Sequence, residues 1–333
     1  MVMSARSVRH DLVSVGDATV DVFLKISDAT VHCTLNRRAC LLCLRYADKI
    51  PVEAITRVPA AGNAANNAVG SARLGLSVAA VTTLGDDKPG REIAAELRKN
   101  GVAMPYVTFD ARRGTNYSTV LNFQGERTIL VYHEPRTYRL PKIASAFWVY
   151  LTSMGKGWER IVPALLRYLK QSGTMLAFNP GTHQLRSKTS LLARLLKTTE
   201  VLLVNREEAA LLLKRSPSLR PRALLEGLQS LGAKTVVITD GPAGCYALRE
   251  GDAWTMPPFP LPGVERTGAG DAFSTGFLAA LSYGTGIAEA LRWGTANAGS
   301  VIQKIGPQEG LLTLPQMRSA LRKYPKLTPR PLL

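Results

Sequence analysis

The sequence has no apolar run approaching the roughly 20 residues that a membrane-spanning helix needs. The basic, polar stretch from Met1 to His10 is followed by no apolar signal core. A cytoplasmic protein that makes no use of a membrane is expected. Only 4 cysteines occur in 333 residues, with Cys33, Cys40 and Cys43 clustered and Cys245 apart, which is not the framework of a disulfide-stapled secreted domain. Low-complexity segments and internal repeats are missing too, because 28 glycines and 20 prolines are spread along the chain instead of pooled in a linker. Acidic residues are the minority, 25 against 42 Lys and Arg, for a formal charge of +17. The basic residues scatter over expected helix surfaces (Lys156, Arg160, Arg186, Lys188, Lys214, Arg215), with some concentration at Arg322, Lys323, Lys326 and Arg330. Without zinc-finger spacing or an RNA-binding aromatic signature, this charge reads as a basic surface that favours anionic substrates, and no nucleic-acid partner is expected.

What is present is a large apolar fraction, 46%, enough for one α/β domain over residues 1–333 with an appendage. From about residue 145, apolar β-rich runs alternate with helical patterns. Phe147 to Leu151, Met175 to Phe178, Val201 to Val204 and Thr235 to Thr239 read as strands; Glu159 to Gln171, Arg206 to Leu213 and Arg222 to Leu231 read as helices. Near-continuous apolar strands between helices predict a doubly wound, mainly parallel sheet covered on both faces. Asp11 to Gly16 reads as its first strand. Val20 to Val58 and Thr115 to Tyr132 instead alternate polar and apolar residues, the pattern of half-buried antiparallel strands. Two insertions, about 18–58 and 112–133, are therefore expected to pair into a small β-rich lid.

The segment with the most chemistry is Thr267-Gly268-Ala269-Gly270-Asp271, followed by Ala272, Phe273, Phe277, Leu278 and Leu281 at helical spacing. Glycines where a loop becomes a helix leave backbone N–H groups and the positive end of the helix dipole facing outward, an anion hole. A carboxylate at its mouth, Asp271, opposes a bound phosphate unless it takes a proton from an attacking hydroxyl. Equally, Asp271 suits a first helical turn and the glycines a tight turn. No Walker loop, His-Arg-Asp or Asp-Phe-Gly occurs, and Phe273 stands where a dinucleotide fingerprint wants its third glycine or alanine.

Val264 to Phe273 resembles the C-terminal signature of the ribokinase-like (PfkB) family of carbohydrate and nucleoside kinases. Further blocks agree in order from about residue 11 to 318. Gly16-Asp17-Ala18-Thr19-Val20-Asp21 is similar to the family's opening strand, which makes Asp21 a ligand of substrate hydroxyls. Ala61-Gly62-Asn63-Ala64-Ala65-Asn66 resembles Gly-Gly-x-x-x-Asn, implying Gly62 for close backbone approach, with Asn63 beside it, and Asn66 for a hydroxyl; Ala61 departs from the pattern. Gly85 to Gly90 is similar to a structural turn. Asn205-Arg206-Glu207-Glu208 resembles Asn-x-x-Glu, implying Mg²⁺ held by Glu208 through water; the same residues also suit a helix cap. Thr239, Gly241 and Gly244 match the strand end near the ATP phosphates and ribose, and Asn297, on a helix expected from Ile287 to Gln303, a position near the base. Glu265 stands where relatives place Asp in a monovalent-cation loop, which extends the cofactors from ATP and Mg²⁺ to K⁺.

The resemblance further implies substrate contacts from Asn116 and Tyr117 in the lid and a homodimer paired through it. It also implies transfer from ATP to a primary hydroxyl of a sugar or sugar-like molecule, with a nucleoside or sugar phosphate as alternatives. Tyr117 and Phe123 are the aromatics that could stack on a base. A positive side chain at His133 or Arg136, just after the lid, could bind a substrate phosphate, although a surface arginine is ordinary in so basic a chain. A non-enzymatic nucleic-acid-binding or regulatory protein would use that basic surface instead. For the cysteines, adjacent His32 and Cys33 point to opposite faces if extended and only Cys40-x-x-Cys43 has metal-like spacing. They are read as small hydrophobes packing in the lid.

Overall fold

The computed structural model describes residues 10–34, 40–187 and 189–333. The basic N-terminal residues before His10, and Lys188 among the expected surface cations, lie outside the described residues. Along the chain, the first part runs β1 (His10–Val15), β2 (Thr19–Ile26), β3 (Thr30–Cys33), β4 (Cys40–Cys43), β5 (Val52–Ala61), α1 (Asn63–Arg73), β6 (Val78–Gly85), α2 (Lys88–Lys99) and β7 (Ala103–Asp110). The middle holds β8 (Tyr117–Phe123), β9 (Glu126–Tyr132), β10 (Ala146–Leu151), α3 (Val162–Ser172), β11 (Met175–Phe178), α4 (Thr182–Leu185), α5 (Ser190–Thr198), β12 (Val201–Asn205), α6 (Arg206–Leu213), α7 (Pro221–Ser230) and β13 (Thr235–Thr239). It ends with β14 (Cys245–Arg249), β15 (Asp252–Met256), α8 (Ala269–Ser282), α9 (Ile287–Val301), α10 (Leu314–Lys323) and β16 (Arg330–Pro331).

The main sheet has the order β16-β15-β14-β13-β12-β11-β10-β1-β6-β7. Strands β7 to β13 of this order pair in parallel through β6, β1, β10, β11 and β12, and β14 to β16 add an antiparallel edge. This is the doubly wound sheet that the alternating pattern predicts. Successive strand residues feed opposite faces: Leu12, Ala80, Trp148, Tyr150 and Leu203 join one core with Phe273, Phe277, Leu278 and Leu291, while Val13, Val149, Leu151, Leu176 and Leu202 join the other with Leu165, Leu195 and Leu225. Each fully buried Leu or Phe contributes on the order of 1.5–3 kcal/mol. The chain leaves β1 toward β6 and β7 on one side, then returns to β10 on the other. The order therefore reverses between β1 and β10, and such a switch point opens a crevice at the carboxyl ends of the strands.

A second sheet, β5-β2-β8-β9, stands over that edge. Its central pair, β2 with β8, is parallel, with Asp21 opposite Ser118, whereas alternation alone suggested antiparallel pairing. The cause is directional: β2 follows β1 and β8 follows β7, so both leave the same edge of the main sheet pointing the same way. Asp87 anchors the second excursion by capping α2 through Gly90 N (2.8 Å) and by accepting from the hydroxyl and amide of Thr115 (2.6 and 2.9 Å).

The cysteine reading needs correction. Strands β3 and β4 form a separate hairpin in which Cys33 lies opposite Cys40, and the two are joined as a disulfide. Both are exposed, so neither packs as a small hydrophobe; Cys43 is free and half-buried. Spacing hid this because registry across a hairpin, not separation in sequence, brings the sulfurs together. Among the described residues no group of three or more His, Cys, Asp or Glu side chains could hold a metal ion, and no helix is long and apolar enough to cross a membrane.

Candidate functional site

The site grows from the start of α8. Gly268 caps the helix with φ 79° and ψ −1°, a left-handed conformation that costs other residues free energy. A Cβ there would lie 2.4 Å from the Pro307 Cβ, so the turn needs glycine for space as well. The amide of Ala269 turns back to the Arg266 carbonyl at 3.3 Å, which leaves Gly270 and Asp271 to present first-turn N–H groups. A Cβ added to Gly270 would meet nothing within 4 Å, so the first turn of α8 is open on that side.

Asp271 is buried, and it does not behave as a helix-capping acid. Burial pushes its carboxyl up to about 6, opposed by a hydrogen bond from Asn66 and by the charge of Arg127. The Asn66 Nδ2 donates to Asp271 Oδ2 at 2.8 Å. Gln308 Nε2 in turn donates to Asn66 Oδ1 (3.0 Å) and to the Ala60 carbonyl (2.6 Å), so α1, α8 and the turn after α9 converge on one carboxylate. Asn66, expected to meet a substrate hydroxyl, is placed here as the residue that orients Asp271. Gln308 was missed because nothing local distinguishes it. Arg127 was missed as one arginine among many; its strand is tied to the loop before α8 by a Glu126–Arg266 ion pair of 3.2 Å.

Asp21 enters from β2, near enough to Asp271 for the two charges to oppose each other. Burial raises its carboxyl to about 6, against hydrogen bonds from Ser118 and Thr19 that lower it. Its Oδ1 is buried and has no protein partner. Gly62 brings the turn into α1 against this segment: at φ 88°, a Cβ would lie 2.9 Å from the Asp17 carbonyl oxygen. Asn63 opens α1 half-exposed, and Ala61 is a fully buried residue of β5 paired with Thr19.

Asn205 and Glu208 form a reciprocal cap at the start of α6: Asn205 Oδ1 accepts from Glu208 N, and Glu208 Oε2 accepts from Asn205 N, both at 2.8 Å. The Glu208 carboxyl is pushed up to about 7, by burial first and by the nearby Asp271 charge. Thr239, Gly241 and Gly244 form the turn after β13, joined to α6 by an Arg206–Asp240 ion pair of 2.6 Å. In the loop before α8, Glu265 is buried; its Oε1 accepts from the amide and hydroxyl of Thr267, and its Oε2 has no protein partner.

Three expected contacts are not brought to this space. Asn297 is fully buried, its Nδ2 on the Ala272 carbonyl (2.8 Å) and its Oδ1 accepting from Leu312 N (3.0 Å), so its amide braces α9 against α8. The Asn116 amide is likewise occupied, by the Ala18 carbonyl (3.3 Å) and Glu134 N (3.0 Å). Arg136 is not a surface cation: its side chain is buried, paired with Asp110 at 3.2 Å and with the Gly114 carbonyl. Tyr117 is exposed and Phe123 buried. A cavity of about 400 Å³ lies apart from Asp271, between β7 and residues 137–141, and is lined by Val15 and Val81 of the second core.

A family model described as pfkB family carbohydrate kinase matches residues 24–314. An uncharacterized sugar kinase of Archaeoglobus fulgidus is 28% identical over 250 residues, 73% of this chain and 98% of that protein. Among solved structures, Arabidopsis thaliana ribokinase complexed with ribose and ATP superposes with a TM-score of 0.78 at 22% identity, over 94% of this chain and 99% of the other. Methanocaldococcus jannaschii nucleoside kinase superposes with a TM-score of 0.76 at 17% identity, over 94% and 98%.

Proposed function

The chain belongs to the pfkB family of carbohydrate kinases, and from that premise we propose that it moves the γ-phosphoryl of ATP to a primary hydroxyl of a sugar or sugar-like molecule, with Asp271 as general base. The observation that carries this reading is the pairing of Asp271, buried and hydrogen-bonded by Asn66, with the unpartnered Oδ1 of Asp21 beside the open first turn of α8. A hydroxyl held by Asp21 has its proton within reach of a carboxylate whose basicity burial has raised. The hydroxyl oxygen bonds to the γ-phosphorus, the bond to the β–γ bridging oxygen breaks, ADP leaves, and the proton goes to Asp271. The amides of Gly270 and Asp271, with Arg127 nearby, meet the charge on the moving phosphoryl.

Glu208 suits a hydrated Mg²⁺, since its raised carboxyl gains from a neighbouring cation, and the buried free oxygen of Glu265 suits K⁺. When bound, Mg²⁺ neutralises charge on the nucleotide phosphates. Thr239, Gly241 and Gly244 line the side from which the nucleotide approaches. The small sheet acts as a lid that limits water attack on ATP. We assign its edge strand β9, where Ile129, Leu130, Val131 and Tyr132 are all exposed, to a homodimer contact, because an open apolar edge recruits a further strand.

The deciding experiment is ADP release across sugars, sugar acids, sugar phosphates and nucleosides, with and without K⁺, for the native protein and Asp271→Asn. The variant is expected to bind ATP yet lose about 10²- to 10⁴-fold in turnover. Turnover comparable to the native protein would remove Asp271 as the base.

A further inference from the structure

Two histidines that the phosphoryl-transfer machinery does not use stand beside Asp17, at the carboxyl ends of the main-sheet strands. His133 directly follows β9 and places its Nδ1 3.4 Å from Asp17 Oδ2, buried and without a hydrogen bond. His183, in α4 after β11, sets its ring perpendicular to that of His133, with centroids 6.5 Å apart. Asp17 follows β1, four residues before Asp21. Its Oδ2 is already engaged by the Tyr138 hydroxyl (2.7 Å) and Gly155 N (2.9 Å). Lys156, in the loop after β10, and Arg186, just past α4, lie near enough for their charges to act on His183. The other acids nearby face elsewhere: Glu134 accepts from the Tyr132 hydroxyl (3.2 Å) and Glu159 from the Ser187 hydroxyl (3.5 Å).

Resting on the kinase reading above, we infer that His133 and His183, backed by Lys156 and Arg186, bind an oxyanion carried by the acceptor, so that the substrate is a sugar acid or sugar phosphate and not a neutral sugar. The perpendicular rings leave the His133 Nε2 and the His183 ring nitrogens as donors for a carboxylate or phosphate, whose charge-assisted bonds would be about 2.7–2.9 Å. Asp17 holds one ring in place and is itself tied down by two donors, and the two cations Lys156 and Arg186 outnumber its single negative charge. His183 is held below the ordinary histidine value, by burial first and then by His133, Lys156 and Arg186, with Asp17 opposing. Its charged form is therefore disfavoured until an anion arrives. Binding takes up a proton, and affinity for the anion rises as pH falls through the histidine range.

The chain has 4 histidines, namely His10, His32, His133 and His183, so ring signals can be assigned in the full-length protein with single His→Gln variants. Inorganic phosphate and gluconate are each titrated without ATP, following the ring ¹⁵N and ¹H shifts. His133 and His183 are expected to move, His183 with gain of a proton, while His10 and His32 stay put; the probe that acts at lower concentration distinguishes phosphate from carboxylate. Equal movement of all four rings, or none, overturns the inference. In the acceptor panel, His133→Gln with His183→Gln should lower kcat/KM for anionic acceptors relative to neutral ones by about ten-fold or more, the worth of a charge-assisted hydrogen bond; an unchanged ratio also overturns it. If both rings respond but no acceptor is phosphorylated, the kinase reading fails and the anion site stands. If neutral sugars turn over and the rings ignore both anions, the reverse holds.

Discussion

Removing the Asn66 amide should move the acid limb of the reaction toward alkaline pH. Asn66 Nδ2 donates at 2.8 Å to Asp271 Oδ2, and this bond opposes the burial that lifts the carboxyl to about 6. A hydrogen bond to a charged group is worth about 1.5–3 kcal/mol, and each pKa unit corresponds to about 1.4 kcal/mol. Asn66→Ala should therefore raise the carboxyl by about one to two units. The ionised fraction at pH 7 would fall from roughly nine-tenths to between roughly a half and a tenth. The assay is kcat/KM for the acceptor at saturating ATP, measured by ADP release from pH 5 to 9. The expected result is a loss of about two- to ten-fold at pH 7 that largely recovers by pH 9. Gln308→Ala, which frees Asn66 Oδ1, should shift the limb the same way by less. If Asn66 served the acceptor alone, the loss would be equal at every pH; an unmoved limb, or one displaced toward acid, refutes the positioning argument.

The same carboxyl makes the fold pH-dependent. Its value rises on folding from 3.8 to about 6, so the stability it contributes is complete below pH 4 and is lost as pH rises through 6, by up to about 3 kcal/mol. Asp271→Asn should match the native protein in urea unfolding at pH 4 and exceed it at pH 8 by an amount approaching that figure, while remaining inactive; an equal difference at both pH values would contradict the desolvation account. Gly268→Ala tests the turn. The left-handed conformation costs about 1–2 kcal/mol, and the clash with Pro307 adds to it, so a loss of roughly 2–4 kcal/mol in urea unfolding is expected together with lost turnover. Stability within 1 kcal/mol of the native protein would show that the turn relaxes more easily than its packing implies.

The parts of the molecule legible in the sequence are those governed by local periodicity. Met175 to Phe178, Arg206 to Leu213 and Thr235 to Thr239 begin and end where the apolar pattern places them, because a strand buried on both faces and a one-sided helix each write their burial into consecutive residues. The start of α8 was legible for the same reason. What escaped depends on partners far apart in the chain. Asn66 and Asp271 are separated by 205 residues and Gln308 and Asn66 by 242, so no window of sequence distinguishes an amide that orients a carboxylate from one that meets a substrate. Asn297 and Asn116 show the converse: their motif positions suggested ligand contacts, yet both amides are occupied by backbone groups. A motif thus marks where an amide must stand and leaves open which atoms it serves. His133 carries this furthest. With Arg136 it was one of two side chains that could bind a substrate phosphate, but Arg136 is buried against Asp110 while His133 faces Asp17 and His183. The inferred oxyanion site therefore draws on His133 and His183 together with Lys156 and Arg186, and not on Arg136, so acceptor affinity as well as catalysis is expected to depend on pH.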